Sequence, residues 1–427
     1  MSTLEKMRNQ SILVLGFGRE GRSTLEFLRK RFPQAVIGIA DQDTIKLGAL
    51  DTRSSSGPNY LDSINDYDVV VKTPGISPHQ PQIEQAKKSG KLITSQTQIF
   101  LEQTRDKVIG VTGTKGKSTT SSLIYHVLQY NAVPVRLLGN IGKPCLDFLH
   151  NDHEGLEYVF EMSSYQLMDL TISPHIAVLQ AIYPDHLDYH QEFDEYRNAK
   201  LNITRYQEPQ DYLICHISHK DLPTRAKKII FSEADFDPAI KTKLLGKHNR
   251  LNTIPAVIVG KLLGLSQEQI YSAISSFEPL ETRLQDVGTF REVTFYEDTL
   301  STIPEAAVAA IEAVGPSTLI AGGHERKQNY SHLAQTILDS GIKTLILFPT
   351  TGPRIWREIK AVNPNSEVAH FEVNSMEEAI KLAYKHTPAG KTCLLSPAAP
   401  SFTLFKDYRD EGEQYRKYIK LFSSSSS

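Results

Sequence analysis

Short apolar runs rich in Val, Ile and Leu alternate with longer amphipathic stretches from one end of the chain to the other. A strand buried on both faces reads as a near-continuous apolar run, and the crossover to the next parallel strand is usually a helix. The alternation therefore predicts an α/β protein built on parallel sheets. Three blocks separate. In the first, SILVLGFG, AVIGIAD, DVVVKTPG and KLITS read as strands, with a helix from Arg22 to Phe32 and a polar helical stretch, Gln98 to Asp106, leading out. In the second, KVIGVTG, EYVFEMSS, IAVLQAI, DYLICH and KKIIF read as strands, with helices at Ser118 to Tyr130 and Asn252 to Leu263, until FEPLETR breaks the helical period from Phe277. The third has strands at VTFYED, STLIAGG, KTLILFP and TCLLSPAA, between helices near Pro304 to Val314, Tyr330 to Ser340 and Ser375 to Lys385. The expected organisation is three α/β domains, residues 1–105, 106–278 and 279–422, before a low-complexity serine tail, 423–427.

Composition narrows this picture. The 427 residues suffice for about three domains, and 40% hydrophobic with 22% charged residues lies in the ordinary globular range, which excludes disordered, collagen-like and coiled-coil classes. Lys plus Arg number 47 against 49 Asp plus Glu, a formal charge of -2. That balance argues against a protein living on nucleic-acid phosphates or an acidic membrane surface. Cys145, Cys215 and Cys393 are far apart in sequence and form no CxxC pair, so neither a disulfide framework nor a structural zinc site is expected, and the default compartment is the reduced cytoplasm. The apolar run Ile12 to Phe17 is too short for an export signal and is followed by Arg19, Glu20 and Arg22.

The sharpest local signal is GVTGTKGKST, where a strand ends in a glycine-rich turn and a helix begins at Lys117 or Ser118. Backbone N–H groups of Gly113, Thr114, Lys115, Gly116 and Lys117 can cradle phosphate oxygens at a helix N-terminus. The Lys117 ammonium supplies charge, and the Ser118 hydroxyl, followed by Thr119, can hold Mg²⁺. The spacing is a variant, with Val111 where the strict P-loop has glycine. A second glycine turn, GFGREG from Gly16 through Gly18 to Gly21, follows a strand, and Asp41 ends the next one 20 residues after Gly21. This fits a dinucleotide fingerprint, although NAD, FAD or a UDP-linked ligand would satisfy it equally, as would a plain packing turn. EMSSYQL puts Glu161 at the carboxyl end of a strand, and PDHLDYH gathers Asp185, His186, Asp188 and His190, donors suited to Mg²⁺ beside phosphates. Read alone, Glu161 is equally a loop acid, the histidines solvated turn residues, Lys200 of EYRNAK a solvated helix charge, and Asn249 and Asn252 of GKHNRLN helix caps.

The order of the motifs is more specific than any one. GTKGKST, EMSSYQL, DHLDYH with YRNAK, GKHNRLN, a TR pair, D-T-x-S-T, GGHERK and LSPAAPSF resemble, over nearly the whole chain, the Mur ligases, and most narrowly those that add glutamate to UDP-N-acetylmuramoyl-L-alanine. The resemblance implies an N-terminal Rossmann-like domain for the UDP-sugar, a central P-loop ATPase domain and a C-terminal Rossmann-like domain for the amino acid. It implies ATP and two Mg²⁺ ions as cofactors, with Ser118, Glu161, His186 and a carbamylated Lys200 at the metals. Asn249 and Asn252 would contact adenine, with Arg283 and Asp298 closing over the nucleotide. Gly18, Asp41, Thr73, Asn140, Ser163 and Gln166 would line the UDP-sugar site, and Thr302, Arg326, Ser401 and Tyr408 the glutamate site. The partners implied are small molecules alone, acting on a monomer in the cytoplasm during peptidoglycan precursor synthesis.

The departures from that pattern concentrate in the third block. The family's D-S-K-A-T-N is Asp298-Thr299-Leu300-Ser301-Thr302-Ile303 here, without its lysine, and D-K-G is Glu325-Arg326-Lys327, so Arg326 or Lys327 is expected to answer a glutamate carboxylate instead. Thr282 stands for a histidine before Arg283, Ala181 and Pro184 for an Asn and a Glu before the DH pair, and Gln96 and Gln98 for acids. D-glutamate is the first expectation and L-glutamate or another amino acid the alternative. A folylpolyglutamate-synthase-like enzyme would leave GFGREG and Asp41 unexplained, and an NAD-dependent oxidoreductase would leave GTKGKST, Glu161 and His186 unused. A catalytically silent nucleotide-binding subunit stays open on the altered third block.

Overall fold

A computed structural model describes residues 1–45, 52–149, 155–185 and 189–424. Within them the strands form three sheets. The first comprises β1 (Ile12–Leu15), β2 (Ile37–Asp41), β3 (Arg53–Ser56), β4 (Val69–Lys72) and β5 (Leu92–Thr94), in the order β3-β2-β1-β4-β5 and parallel throughout. The second comprises β6 (Val108–Thr112), β7 (Val135–Gly139), β8 (Glu157–Glu161), β9 (Ile176–Leu179), β10 (Tyr212–His216) and β11 (Lys227–Phe231), in the order β11-β10-β9-β6-β8-β7, also parallel. The third comprises β12 (Gln285–Phe290), β13 (Val293–Glu297), β14 (Thr318–Gly322), β15 (Thr344–Phe348), β16 (Ala369–Glu372) and β17 (Thr392–Leu395), in the order β12-β13-β17-β14-β15-β16. Here β12 and β13 pair antiparallel, so this sheet is not the wholly parallel one that the apolar runs predict.

The chain divides into two compact units, Met1–Ile240 with Leu251–Ser275, and Lys241–Arg250 with Ser276–Ser427. In the first unit one continuous core joins both sheets, running through Ile12, Val14, Phe100, Tyr158, Phe160 and Leu213. Phe100, on helix Gln96–Thr104, meets Tyr158 and Phe160 edge-on at 5.1 and 5.8 Å, so the helix between the two sheets is pinned by aromatic packing. This helix starts two residues earlier than the polar stretch predicted, because Ser95 caps it by accepting from the Gln98 N–H at 3.1 Å. In the second unit, apolar clusters cover both faces of the sheet, Leu319 and Leu345 lying in one and Phe295 and Ile346 in the other.

Both sheets of the first unit reverse direction beside their first strand. β1 lies between β2 and β4, and β6 between β8 and β9. Ligands of open parallel sheets collect at such reversals, outside the carboxyl ends of the strands. GFGREG follows β1 and GTKGKST follows β6, so each glycine turn stands at its sheet's reversal.

Candidate active site

The phosphate loop opens from β6 and closes at Gly116, which caps helix Lys117–Tyr130 with φ 81°, a left-handed conformation natural to glycine. A Cβ at Gly116 would also collide with Asn252 Oδ1. The loop is held from both sides. The Thr114 N–H donates to Ala181 O at 3.0 Å, and its hydroxyl lies 3.0 Å from Tyr196 Oη. The Lys117 ammonium reaches back to Gly113 O at 3.0 Å and Thr114 O at 2.9 Å, which holds it over the turn. Ser118 and Thr119 are buried in the helix's first turn, and exposed Lys115 lies 3.6 Å from Asp185 Oδ2. Asn252 packs on this loop, approached by Gln180 Nε2 and Thr120 Oγ1 at 3.5 Å each, and so part of its amide serves the loop itself.

Glu161 ends β8, the neighbour of β6, and is fully buried. Its Oε1 accepts from Asn140 Nδ2 at 2.9 Å, while Oε2 has no hydrogen-bond partner among the described residues. A buried carboxylate oxygen left without a donor is costly, and a hard cation would answer it. No group of three or more His, Cys, Asp or Glu side chains placed to hold a metal ion occurs among the described residues. The donor set nevertheless fits Mg²⁺, which commonly takes one or two carboxylates and completes its shell with phosphate oxygens and water. His186 and Asp188 lie outside the described residues.

Lys200, on helix Phe193–Arg205, is buried, its ammonium 4.7 Å from the centroid of the Tyr196 ring. Burial drives its pKa well below the usual lysine value, the Lys117 charge pushes the same way, and Asp185 and Glu161 oppose them. Lys200 is therefore not a solvated helix charge.

A cavity of about 270 Å³ is lined by Gly18, Arg19, Glu20, Thr73, Pro74, Gly75, Asn140, Ser163, Tyr165 and Gln166. It unites five of the residues expected at the UDP-sugar, drawn from the carboxyl ends of β1, β4, β7 and β8. Asp41 does not line it; its carboxylate takes the Phe17 N–H and, at 2.8 Å, the Asp43 N–H. Close packing explains the third glycine of GFGREG, since a Cβ on Gly21 would run into Gly16 O. Three further lining residues, Arg19 and Glu20 inside GFGREG and Tyr165 inside EMSSYQL, are not among the sequence candidates, since neither motif marks them as facing a cavity.

In the second unit, Asp298 follows β13 and is buried, accepting from the Leu284 N–H at 3.1 Å, Ser396 Oγ at 3.0 Å and Ser301 Oγ. Burial pushes its carboxyl up to about 6 against those donors and Arg283. Asn249 donates to Leu245 O at 2.6 Å, the local contact of a residue at a helix start. Arg326 and Lys327 are exposed beyond β14, whereas Glu325 between that strand and Arg326 is paired with Arg354 at 2.6 Å. Thr302 is half-buried, its carbonyl accepting from Gln328 Nε2 at 3.2 Å, and Tyr408 opens helix Tyr408–Ser423. A second cavity, about 640 Å³ and lined by Lys247, His248, Glu312 and His332 among others, holds none of the candidate residues.

Ser401 is buried and bonded at 2.5 Å to Glu411 Oε2, and Glu411 is itself fully buried. Burial, reinforced by Glu297 and Asp410, pushes the Glu411 carboxyl up to about 8, with Ser401 opposing. The folded chain thus keeps a proton that the unfolded chain has lost above its usual 4.5, so stability falls as pH rises from about 4.5 to about 8. At about 1.4 kcal/mol per unit, the contribution is a few kcal/mol. Glu411→Gln should flatten that slope in denaturant titrations at pH 5 and pH 8 and be the more stable protein at pH 8. An unchanged slope would exclude Glu411 as its source.

Residues 111–237 match the family model of the Mur ligase middle domain. The chain is 32% identical to the UDP-N-acetylmuramoylalanine--D-glutamate ligase of Lactobacillus delbrueckii subsp. bulgaricus, covering 98% of this chain and 99% of that one. It is 29% identical to the enzyme of the same name from Acetivibrio thermocellus, covering 97% of each. Among solved structures it is similar to MurF from Acinetobacter baumannii, with TM-score 0.61 and 15% identity over 98% of this chain and 93% of that one. It is likewise similar to UDP-N-acetylmuramate-alanine ligase MurC from Thermotoga maritima, with TM-score 0.59 and 16% identity over 98% and 100%. At those identities the structural likeness is one of fold.

Proposed function

The chain belongs to the Mur ligase family, and from that premise we propose that it joins D-glutamate to UDP-N-acetylmuramoyl-L-alanine, converting ATP to ADP and phosphate. One observation carries the reading beyond family membership. Asn140, in the wall of the cavity that gathers the UDP-sugar candidates, donates to Glu161, whose strand neighbours the one that feeds the phosphate loop. A substrate seated there would bring its carboxylate end toward the γ-phosphate, and joining those two groups is the first step of this ligation.

The alanyl carboxylate attacks the γ-phosphorus, the bond to ADP breaks, and an acyl phosphate forms. The amine of glutamate then attacks the acyl carbon, loses its proton, and phosphate leaves from the tetrahedral intermediate. The backbone N–H groups from Gly113 to Lys117 and the N-terminus of helix Lys117–Tyr130 hold the phosphates, while Lys117 answers charge gathering on the transferring group. Mg²⁺ bound with ATP would be held by Ser118 and Glu161 and would neutralise charge on the β- and γ-phosphates. Lys200, depressed toward its neutral amine, is suited to take up CO₂ as a carbamate, an anion that would help to hold Mg²⁺ were it bound. The reading sets the reaction in the cytoplasm, where ATP is available, and the three cysteines, buried and free, suit a reducing compartment.

Phosphate release with ATP, UDP-N-acetylmuramoyl-L-alanine and D-glutamate tests the reading. Release should require all three and match amide formed; release independent of the UDP-sugar would overturn it. For the amino acid, a dicarboxylate needs a cation or several donors, and Leu300 supplies neither. Arg326 makes no ion pair among the described residues, whereas Arg354 is committed to Glu325. Arg326→Ala should therefore raise the KM for glutamate at least about tenfold, the cost of a charged hydrogen bond, with those for ATP and the UDP-sugar within about twofold. If Arg326→Ala and Lys327→Ala both leave all three unchanged, a non-acidic amino acid becomes the better substrate.

A further inference from the structure

Among the ten residues lining the acceptor cavity, Glu20 is the one carboxylate and Arg19 the one cation. An acid in a pocket for a molecule carrying a diphosphate and a carboxylate repels both, unless it faces a part of that molecule that donates hydrogen bonds. We propose that Glu20 is a specificity residue of the acceptor pocket, its carboxylate accepting a hydrogen bond from an amide N–H or hydroxyl of the UDP-linked substrate. The proposal rests on the ligase reading above and deepens it.

The geometry fixes Glu20 as an acceptor. It occupies the first turn of helix Arg19–Arg31, where a negative charge is favoured by the helix dipole. Its Oε1 takes Gln166 Nε2 at 3.0 Å. Gln166 cannot turn away, because its own Oε1 accepts the Ser163 N–H at 2.9 Å and Ser163 Oγ at 3.1 Å. The amide is thus held with its donor toward Glu20, and Glu20, Gln166 and Ser163 form one ordered wall of the cavity.

The surrounding charges leave this carboxylate short of donors. Arg19, on its own helix, spends its guanidinium on Gly142 O at 3.1 Å and Gly139 O at 3.2 Å. Lys72, at the end of β4, is buried, donates to Ile76 O at 2.9 Å and lies 3.7 Å from Asp169, which also pairs with Lys87. The 3-10 turn Cys145–Phe148, packed on the same helix, brings Cys145 and Asp147, and Asp147 accepts Ser23 Oγ at 2.5 Å. Gln96 and Gln166 contribute amides. Burial outweighs all of these and raises the Glu20 carboxyl above its ordinary value. A ligand N–H or O–H would make up the deficit, and an acceptor lacking that donor would leave this half-buried carboxylate with the Gln96 and Gln166 amides alone, a penalty on which a polar pocket can discriminate.

Glu20→Gln separates contact from scaffolding, since glutamine keeps an oxygen for Gln166 and nearly the same shape. The variant should raise the KM for UDP-N-acetylmuramoyl-L-alanine at least tenfold while those for ATP and D-glutamate, and the melting temperature, stay near the parent's. In the parent, that KM should fall as pH rises through the carboxyl's titration, because the ionised form accepts the bond, and Glu20→Gln should lack this limb. An unchanged or lowered KM in Glu20→Gln overturns the proposal, as does a parent KM that is flat with pH. If the parent releases no phosphate with this UDP-sugar, the functional reading itself has failed.

Discussion

Lys117→Ala enzyme will release phosphate at least about a thousand-fold more slowly than the parent at saturating substrates, the scale expected when a preorganised charge at a transferring phosphoryl group is removed. The fold should survive. Truncation removes two hydrogen bonds to loop carbonyls at a half-buried site, about 1–3 kcal/mol against a typical stability of 5–15 kcal/mol, and alanine is well tolerated at a helix start. The loss has a second component. Lys117 is among the charges that hold the Lys200 amine below its ordinary pKa, so the variant should also bind protons more readily at Lys200. Circular dichroism and melting temperature would establish folding, and turnover within a few-fold of the parent would remove Lys117 from the phosphate site.

The parts of the fold that were legible in the sequence are those buried on both faces. Central strands such as β1, β4 and β6 are buried at every position and mostly apolar, so each reads as a nearly continuous run. Four strands escaped, β3, β7, β12 and β16, and all four are sheet edges. RSSS and AHFE are mostly exposed, VRLLG is interrupted by exposed Arg136, and QDVGTF hairpins onto β13, so none shows the apolar run by which a strand is recognised. Helices Gln267–Ser276, Gly352–Val362 and Tyr408–Ser423 were passed over for a related reason: their buried stripes are narrow among polar residues.

The site divides along a different line. Backbone chemistry is written locally, and GTKGKST declares its turn because glycine is needed where φ is positive. Burial is not local. EYRNAK does not by itself distinguish Lys200 from a solvated lysine; burial does, and the Tyr196 ring beside it on the same helix is held by Thr114 of the phosphate loop, 82 residues away in sequence. Glu20 illustrates the converse, a residue inside a recognised motif whose importance emerges only when Gln166, 146 residues away, is bonded to it.

Lys200 yields the other large effect. A buried lysine under the influence of Lys117 and Lys115 is unfavourable as an ammonium and correspondingly available as an amine, the form that reacts with CO₂. On carbamylation the amine nitrogen would bond to the carbon, one proton would be released, and the side chain would become an anion. The same cations that oppose its charge would then become its partners. Lys200→Ala should consequently lose at least about a hundredfold in turnover, the scale of removing one charged group from a preorganised site, and short carboxylates such as formate should restore part of it by replacing the anion. Removing dissolved CO₂ should slow the parent, reversibly on adding bicarbonate, and leave the variant unaffected. Stability gives an independent reading. Without CO₂ the parent carries an ill-placed amine whose lowered pKa makes the fold less stable as pH falls below the ordinary lysine value, so Lys200→Met should be less pH-dependent between pH 9 and pH 6. Full activity in Lys200→Ala would exclude the anion, and a pH dependence identical to the parent's in Lys200→Met would show that the buried amine is not under the strain that makes it reactive.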